Sequence, residues 1–129
     1  MNIYLAAPWV HRFDAKEAAF KLEEAGHLLV TKWWLNEEIA AFPDEAFGED
    51  LLALQIQARS DMLGVCDAGQ VIILQLAQSE GKAVEMGIAL SYRIPIMVVS
   101  PNRKRGNLFQ YLPQIEFVKS IEEAIEVLK

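Results

Sequence analysis

The chain predicts a doubly wound α/β fold, a parallel five-stranded sheet with helices on both faces. Three observations carry this. Short apolar runs alternate with stretches of helical period from one end of the chain to the other, the pattern of βαβ units wound right-handedly into one sheet. The runs are apolar at nearly every position rather than at every second one, as in strands buried on both faces. Hydrophobic residues make up 53% of the sequence and mean hydropathy is +0.16, which suits a sheet covered twice.

Taken in order, Asn2 to Ala7 reads as the first buried strand, stopped by Pro8. Asp14-Ala-Lys-Glu17 has the spacing of a capping box, so a helix is expected from Ala15 to Glu24, with Ala18, Phe20 and Leu22 inward and Gly26 ending it. His27 to Trp33 is expected as the second strand, with Trp33 and Trp34 at its buried end. From Leu35 to Asp50 the pattern dissolves into charges, Pro43 and Gly48, with Phe42 and Phe47 among them. A loop that long in a small domain is more often functional than idle, and it is read as a flap over a ligand. Leu51 to Val65 is helical by period, with Leu51, Leu54, Ala58, Met62 and Val65 on one face and Asp61 beside it.

Gln70 to Leu76 is β-branched, apolar and bounded by glycines, so it is the third strand, and the helix after it contains Glu85. Ile94 to Ser100 is the fourth strand, and the basic run Arg103-Lys-Arg105 that follows is read as a solvated turn. Asn107 opens a short helix, Ile115 to Val118 is the fifth strand, and Ser120 with Glu123 caps a last helix from Ile121 to Leu128. The whole is flavodoxin-like and Rossmann-like, three layers α/β/α, with expected strand order 2-1-3-4-5.

Composition limits the function. At 129 residues the chain is expected to form one domain over residues 1–129, burying roughly two-thirds of its unfolded surface. A net charge of −6 argues against a nucleic-acid polymer as partner, because phosphate backbones demand clustered cations. No apolar run approaches the roughly 20 residues that cross a bilayer, and no signal-peptide pattern opens the chain, so no membrane partner and a cytoplasmic location are expected. The single Cys66 lies in an apolar helical stretch and reads as a packed thiol in a reducing compartment. Neither a dinucleotide fingerprint nor a P-loop occurs, and His11 and His27 lack ligand partners at metal spacing. A small-molecule ligand remains.

The chemistry centres on Glu85. It stands between Val84 and Met86, in or just after the first turn of a helix that follows a buried strand. That places it at the carboxyl edge of the sheet, where open α/β folds bind ligands. A carboxylate near a helix start gains roughly 0.3–1 kcal/mol from the macrodipole. This alone is compatible with a simple dipole complement or with a nucleophile.

Several segments, in order, resemble the nucleoside 2-deoxyribosyltransferase family, which includes the 2′-deoxynucleoside 5′-monophosphate N-glycosidases: Ile3-Tyr4-Leu5-Ala6-Ala7-Pro8-Trp9, then Asp61, then Ser79-Glu-Gly-Lys-Ala-Val-Glu85-Met-Gly-Ile-Ala89, and finally Asn107-Leu108. The resemblance implies that Glu85 is the nucleophile at the anomeric carbon, Asp61 the acid/base serving the nucleobase, and Tyr4 the hydroxyl that orients the nucleophile. It implies that Trp9 lines the pocket and that Ser79, placed near the sugar's 5′ end, and Gly81 bind substrate. Asn107 would complete a neighbouring subunit's site in a homo-oligomer. Ser79 stands where transferases acting on free nucleosides carry Asp and nucleotide hydrolases carry Ser. The first loop, in turn, lacks the Gly-Ser and following Arg with which the hydrolases hold phosphate. Transfer between nucleobases, as in nucleotide salvage, is the leading expectation. Hydrolysis of a nucleoside 5′-monophosphate is the alternative, and a non-catalytic nucleotide-binding module on the same fold a third.

The substrate would be a nucleoside or nucleotide with a free nucleobase, and the chemistry needs no cofactor and no metal. Retaining cleavage of a glycosidic bond wants one ionised carboxylate and one protonated acid. A helix N-terminus and a tyrosine hydroxyl are expected to keep Glu85 ionised, while Asp61, on a more apolar face, holds its proton.

Overall fold

The computed structural model describes residues 1–35 and 48–129. Its strands are β1 (Asn2–Ala6), β2 (Leu28–Leu29), β3 (Gln70–Leu74), β4 (Ile96–Val99) and β5 (Glu116–Val118). All pair in parallel in the order β2-β1-β3-β4-β5, as expected. The central strands are the buried ones: every residue of β3 and β4 is enclosed, and in β1 only Asn2 is exposed. The helices among the described residues are α1 (Arg12–Glu24), α2 (Gly48–Asp67), α3 (Glu80–Ser91) and α4 (Ile121–Val127). α1 packs beside α4, and α2 beside α3, so the sheet lies between two helical layers.

Several elements depart from expectation, each for a local reason. The Asp14–Glu17 capping box does not form. A 3-10 turn over Trp9–His11 runs straight into α1 from Arg12, and Asp14, already inside the helix, turns back to His11 Nδ1 at 3.1 Å. α1 buries Ala15, Ala18, Ala19 and Leu22, spaced for one helical face, and leaves Phe20 61% exposed. Its end is as expected. Gly26 takes a φ of 96°, and the Gly26 and His27 amides bond the Glu23 and Leu22 carbonyls at 3.0 and 3.1 Å, the two bonds of a Schellman motif.

The second strand is cut to Leu28–Leu29, and Trp33–Leu35 is a 3-10 turn. The cause is Trp33, whose indole N–H donates 2.7 Å to the Leu5 carbonyl in the interior, drawing the chain inward instead of along the sheet edge. β3 ends at Leu74 rather than Leu76, and the expected short helix at Asn107 is a 3-10 turn over Leu108–Tyr111. The final cap forms as expected, with Ser120 Oγ accepting from the Glu123 amide at 3.1 Å and Glu123 closing on the Lys119 amide at 2.7 Å.

The flap expected between Leu35 and Asp50 lies, over residues 36–47, outside the described residues, and α2 already runs from Gly48. The face of α2 also differs from expectation. Val65 is buried and Leu54 half-buried, but Leu51, Ala58 and Met62 are exposed. The inward side instead carries Gln57, Asp61, Gly64 and Val65, at the i, i+4, i+7, i+8 spacing of one helix face. Cys66 is half-buried. Among the described residues no helix is long and apolar enough to cross a membrane.

Gly64 is where α2 meets β1. A Cβ there would come within 2.6 Å of Thr31 Oγ1 and 3.2 Å of the Tyr4 ring, so only glycine lets the helix approach so closely. Gly64→Ala is expected to lower the unfolding free energy by about 1–3 kcal/mol through overpacking. Urea denaturation should show a lower midpoint at unchanged m-value.

Candidate active site

The strand order reverses between β1 and β3, and the loops leaving their carboxyl ends frame the crevice where such sheets take ligands. Tyr4 lies in the middle of β1, 1% exposed, and its hydroxyl donates to Glu85 Oε2. Glu85 projects from α3 just after the first turn, as expected; Glu80 is the acidic residue within that turn. Asp61 projects from α2, the helix beside α3, and its charge bears on both Tyr4 and Glu85. Gln57, one turn earlier on α2, holds Asp61 through an Nε2–Oδ1 bond of 2.6 Å. The two acids that lie far apart in sequence therefore share one neighbourhood around a tyrosine.

The electrostatics correct one expectation. Burial outweighs the helix start and the tyrosine: it pushes the Glu85 carboxyl up to about 7, with the Tyr4 hydrogen bond and the Lys82 charge opposing and the Asp61 charge adding. Burial also raises Asp61, against the Gln57 hydrogen bond. Tyr4 is raised in turn, by burial first and then by the two carboxylates, so its hydroxyl keeps its proton and acts as a donor. The sharper shift belongs to Glu85, not Asp61.

The remaining candidates fall into two groups. Trp9, half-buried, follows the end of β1 and packs 6.1 Å from Trp33, which meets Trp34 edge-on at 5.5 Å. Arg12 lies over the Trp9 ring at 5.1 Å. Ser79, Gly81 and Asn107 gather instead around the start of α3. Ser79 is its N-cap, with Oγ accepting from the Lys82 amide at 3.4 Å, and Gly81 sits in the first turn, where a Cβ would stand 3.5 Å from that Oγ. Ser79 and Asn107 line a cleft of about 270 Å³ within the same chain, and Asn107 Oδ1 accepts from the Phe109 amide at 2.9 Å.

Sequence reasoning passed over two participants. Gln57 was detectable as a polar residue four positions before Asp61 on one helix. Lys82 was detectable as a lysine on the buried stripe Lys82, Met86, Ala89. Arg105, read as part of a solvated turn, instead lies over the rings of Tyr111 and Phe117 at 4.6 and 4.2 Å and donates to the Gln110 carbonyl. Among the described residues no group of His, Cys, Asp and Glu is placed to hold a metal ion.

No protein-family model matches the chain, and no curated protein sequence does. Solved structures do. The 2-deoxyribosyltransferase of the psychrotolerant bacterium Bacillus psychrosaccharolyticus superposes with a TM-score of 0.68 at 17% identity, over 97% of this chain and 90% of that one. The chain has the fold of a nucleoside 2-deoxyribosyltransferase. The same deoxyribosyltransferase fold is met in the Clostridium botulinum CMP N-glycosidase BcmB, with a TM-score of 0.62 at 14% identity over 99% of this chain and 98% of that one. It is met again in a conserved protein from Enterococcus faecalis V583, at 0.62 and 17% identity over 98% and 95% of the two chains.

The raised Glu85 carboxyl has a consequence for this deoxyribosyltransferase-like fold. A carboxyl shifted from 4.5 to about 7 stabilises the folded state while protonated; that contribution is full below its unfolded value and lost as pH rises through about 7. Glu85→Gln keeps an oxygen to accept from Tyr4 but cannot ionise. Between about pH 5 and pH 8 the wild type should therefore lose roughly 2–3 kcal/mol of stability relative to Glu85→Gln, measured by denaturant unfolding of both proteins across that range.

Proposed function

We propose that the protein is an N-glycosyl transferase that cleaves a 2′-deoxynucleoside and passes the deoxyribosyl group to another nucleobase through a covalent intermediate on Glu85. The observation that carries this reading is the Tyr4 hydroxyl donating to Glu85 at the sheet's switch point, with Asp61 acting on the same pair. In the first step the ionised Glu85 attacks C1′ while the bond from C1′ to the base nitrogen breaks, and Asp61 gives its proton to the departing base. In the second, an incoming base gives its N–H proton to Asp61 and attacks C1′, freeing the Glu85 carboxylate. Two inversions leave the anomeric configuration retained. Tyr4 steadies the carboxylate before attack and after release, and Trp9 supplies an apolar wall beside the base. The scheme requires no metal and no organic cofactor.

The second reading has a 2′-deoxynucleoside 5′-monophosphate as substrate and water as acceptor. It is supported by Ser79, which caps α3 on the rim of the cleft. In either reading subunits associate. The exposed Leu52, Ile56 and Leu63 of α2 border an open groove with Leu28, an apolar surface of the kind that oligomers cover.

Incubating the protein with a deoxynucleoside and a different free base should yield a new nucleoside by chromatography. Free sugar alone would mean that water is the acceptor. Turnover that stays undetectable beside ligand binding, with Glu85→Ala binding unchanged, would leave a binding module. Glu85→Ala should lower turnover about a thousandfold or more and Asp61→Asn about 10²–10⁴-fold. Because nucleophilic attack needs ionised Glu85, kcat/KM should rise with pH through about 7. Tyr4→Phe, which removes a bond to the ionised form, should move that limb to higher pH.

A further inference from the structure

We propose that Gln57 is a positioning residue for the acid/base. By donating to Asp61 Oδ1 it assigns the transferable proton to Oδ2, the oxygen left to face the nucleobase; this rests on the glycosidic reading of Asp61 given above.

Gln57 and Asp61 stand four residues apart on the inward face of α2, both half-buried, and Nε2 donates to Oδ1 at 2.6 Å. On an exposed helix surface an i, i+4 bond of this kind is a weak local support. Here it occupies a face that a core helix fills with apolar side chains, while Leu52, Ile56 and Leu63 stay outside. A bond that served the helix alone would lie equally well on the solvent side. The close approach of α2 to β1 at Gly64, less than one turn beyond Asp61, instead carries the pair toward Tyr4. The other charged and titratable groups on this side engage different partners. From β1 the Tyr4 hydroxyl donates to Glu85, and from α3 the Lys82 ammonium donates to the Ala77 carbonyl. The Glu85 carboxyl, also from α3, brings like charge. Among the described residues Gln57 is therefore the side chain that donates to Asp61.

The chemistry follows from the two unlike oxygens of a protonated carboxyl. One is a carbonyl oxygen that accepts; the other carries the hydrogen and donates it. An amide N–H aimed at Oδ1 makes Oδ1 the accepting oxygen, so the proton sits on Oδ2. When that proton passes to the departing base, the same N–H faces a carboxylate and its bond strengthens. Gln57 thus holds the acid in one orientation through both half-reactions, and favours the form that has given its proton away. Burial raises Asp61 and the Gln57 bond opposes it, which suits a group that must first give a proton and then take one back. A side chain without a donor at position 57 would leave Asp61 a weaker acid, with either oxygen free to carry the hydrogen.

The test compares the unaltered chain with Gln57→Met, which keeps the length and removes the donor, and with Gln57→Lys, which keeps a donor and adds positive charge. For each, kcat/KM is measured against pH with the 2′-deoxynucleoside and free base that the unaltered chain turns over. The Asp61 carboxyl is followed in parallel by carbon-13 NMR of aspartate-labelled protein, its signal assigned by its loss in Asp61→Asn. Gln57→Met should lower kcat roughly ten- to a hundredfold with little change in KM. It should also move the alkaline limb of the profile, where the pair loses its remaining proton, to higher pH. Gln57→Lys should move that limb to lower pH, and the Asp61 signal should titrate in the same two directions. A purely structural role would lower the rate of both variants without moving the limb in opposite senses. An unmoved limb in either folded variant overturns the proposal, and so does a shift of both in one direction. Turnover by the unaltered chain with an Asp61 titration that ignores residue 57 sinks the role of Gln57 alone. An Asp61 titration that follows residue 57, beside no turnover of any deoxynucleoside or its 5′-monophosphate, sinks the glycosidic reading alone.

Discussion

A tyrosine hydroxyl in the middle of a buried strand, donating to a glutamate on a neighbouring helix, is the bond about which the rest of the molecule is arranged. It requires β1 to be interior, which the sheet order provides by flanking β1 with β2 and β3. It requires Tyr4 to face the α2–α3 layer, which the alternation of a strand fixes once Ile3 is paired with Gln70 and Tyr4 with Val71. It also requires room beside the ring, which Gly64 leaves. With those conditions met, α2 comes close enough to bring Asp61 into the field of the same pair.

The sheet was legible because its strands are apolar at nearly every position, and a strand buried on both faces has few other solutions. Strand order, the end of α1 at Gly26 and the cap at Ser120 were legible for local reasons of the same kind. What escaped was governed by tertiary contacts. The second strand was shortened by one indole hydrogen bond to Leu5, which no local pattern announces. The capping box at Asp14 lost to a 3-10 turn that had already started the helix.

α2 was misread for a more instructive reason. Amphipathic reasoning assigns the apolar stripe to the core, yet this helix turns Gln57 and Asp61 inward and leaves Leu52, Ile56 and Leu63 outside. A helix that must present an acid and its hydrogen-bonding partner to a crevice cannot also present its apolar face there. The inversion of the usual pattern is therefore itself a sign that the inner face carries chemistry. The same logic applies to Lys82 on α3, a charge on a stripe otherwise made of Met86 and Ala89. Glu85, Asp61 and Tyr4 could be singled out as residues, but their shared neighbourhood depends on a packing of α2 against α3 that the chain pattern does not spell out.

The proposed reaction needs one proton shared between two acids, and the surroundings bias where it sits. Both carboxyls are pushed up by the same enclosure, and two like charges in one pocket resist being ionised together. The singly protonated pair is thus the state of interest near neutral pH. Tyr4 cannot accept a proton from either acid in that range, so its hydroxyl serves as a donor and favours negative charge on Glu85. The buried Lys82 ammonium pulls in the same direction, and Gln57 pulls against it by donating to Asp61. The Tyr4 and Lys82 contacts favour the ionised carboxylate that glycosidic cleavage demands of a nucleophile, but burial outweighs them at Glu85. Burial is the largest influence on Glu85 and sets its carboxyl at about 7, so the group ionises as pH passes through neutrality.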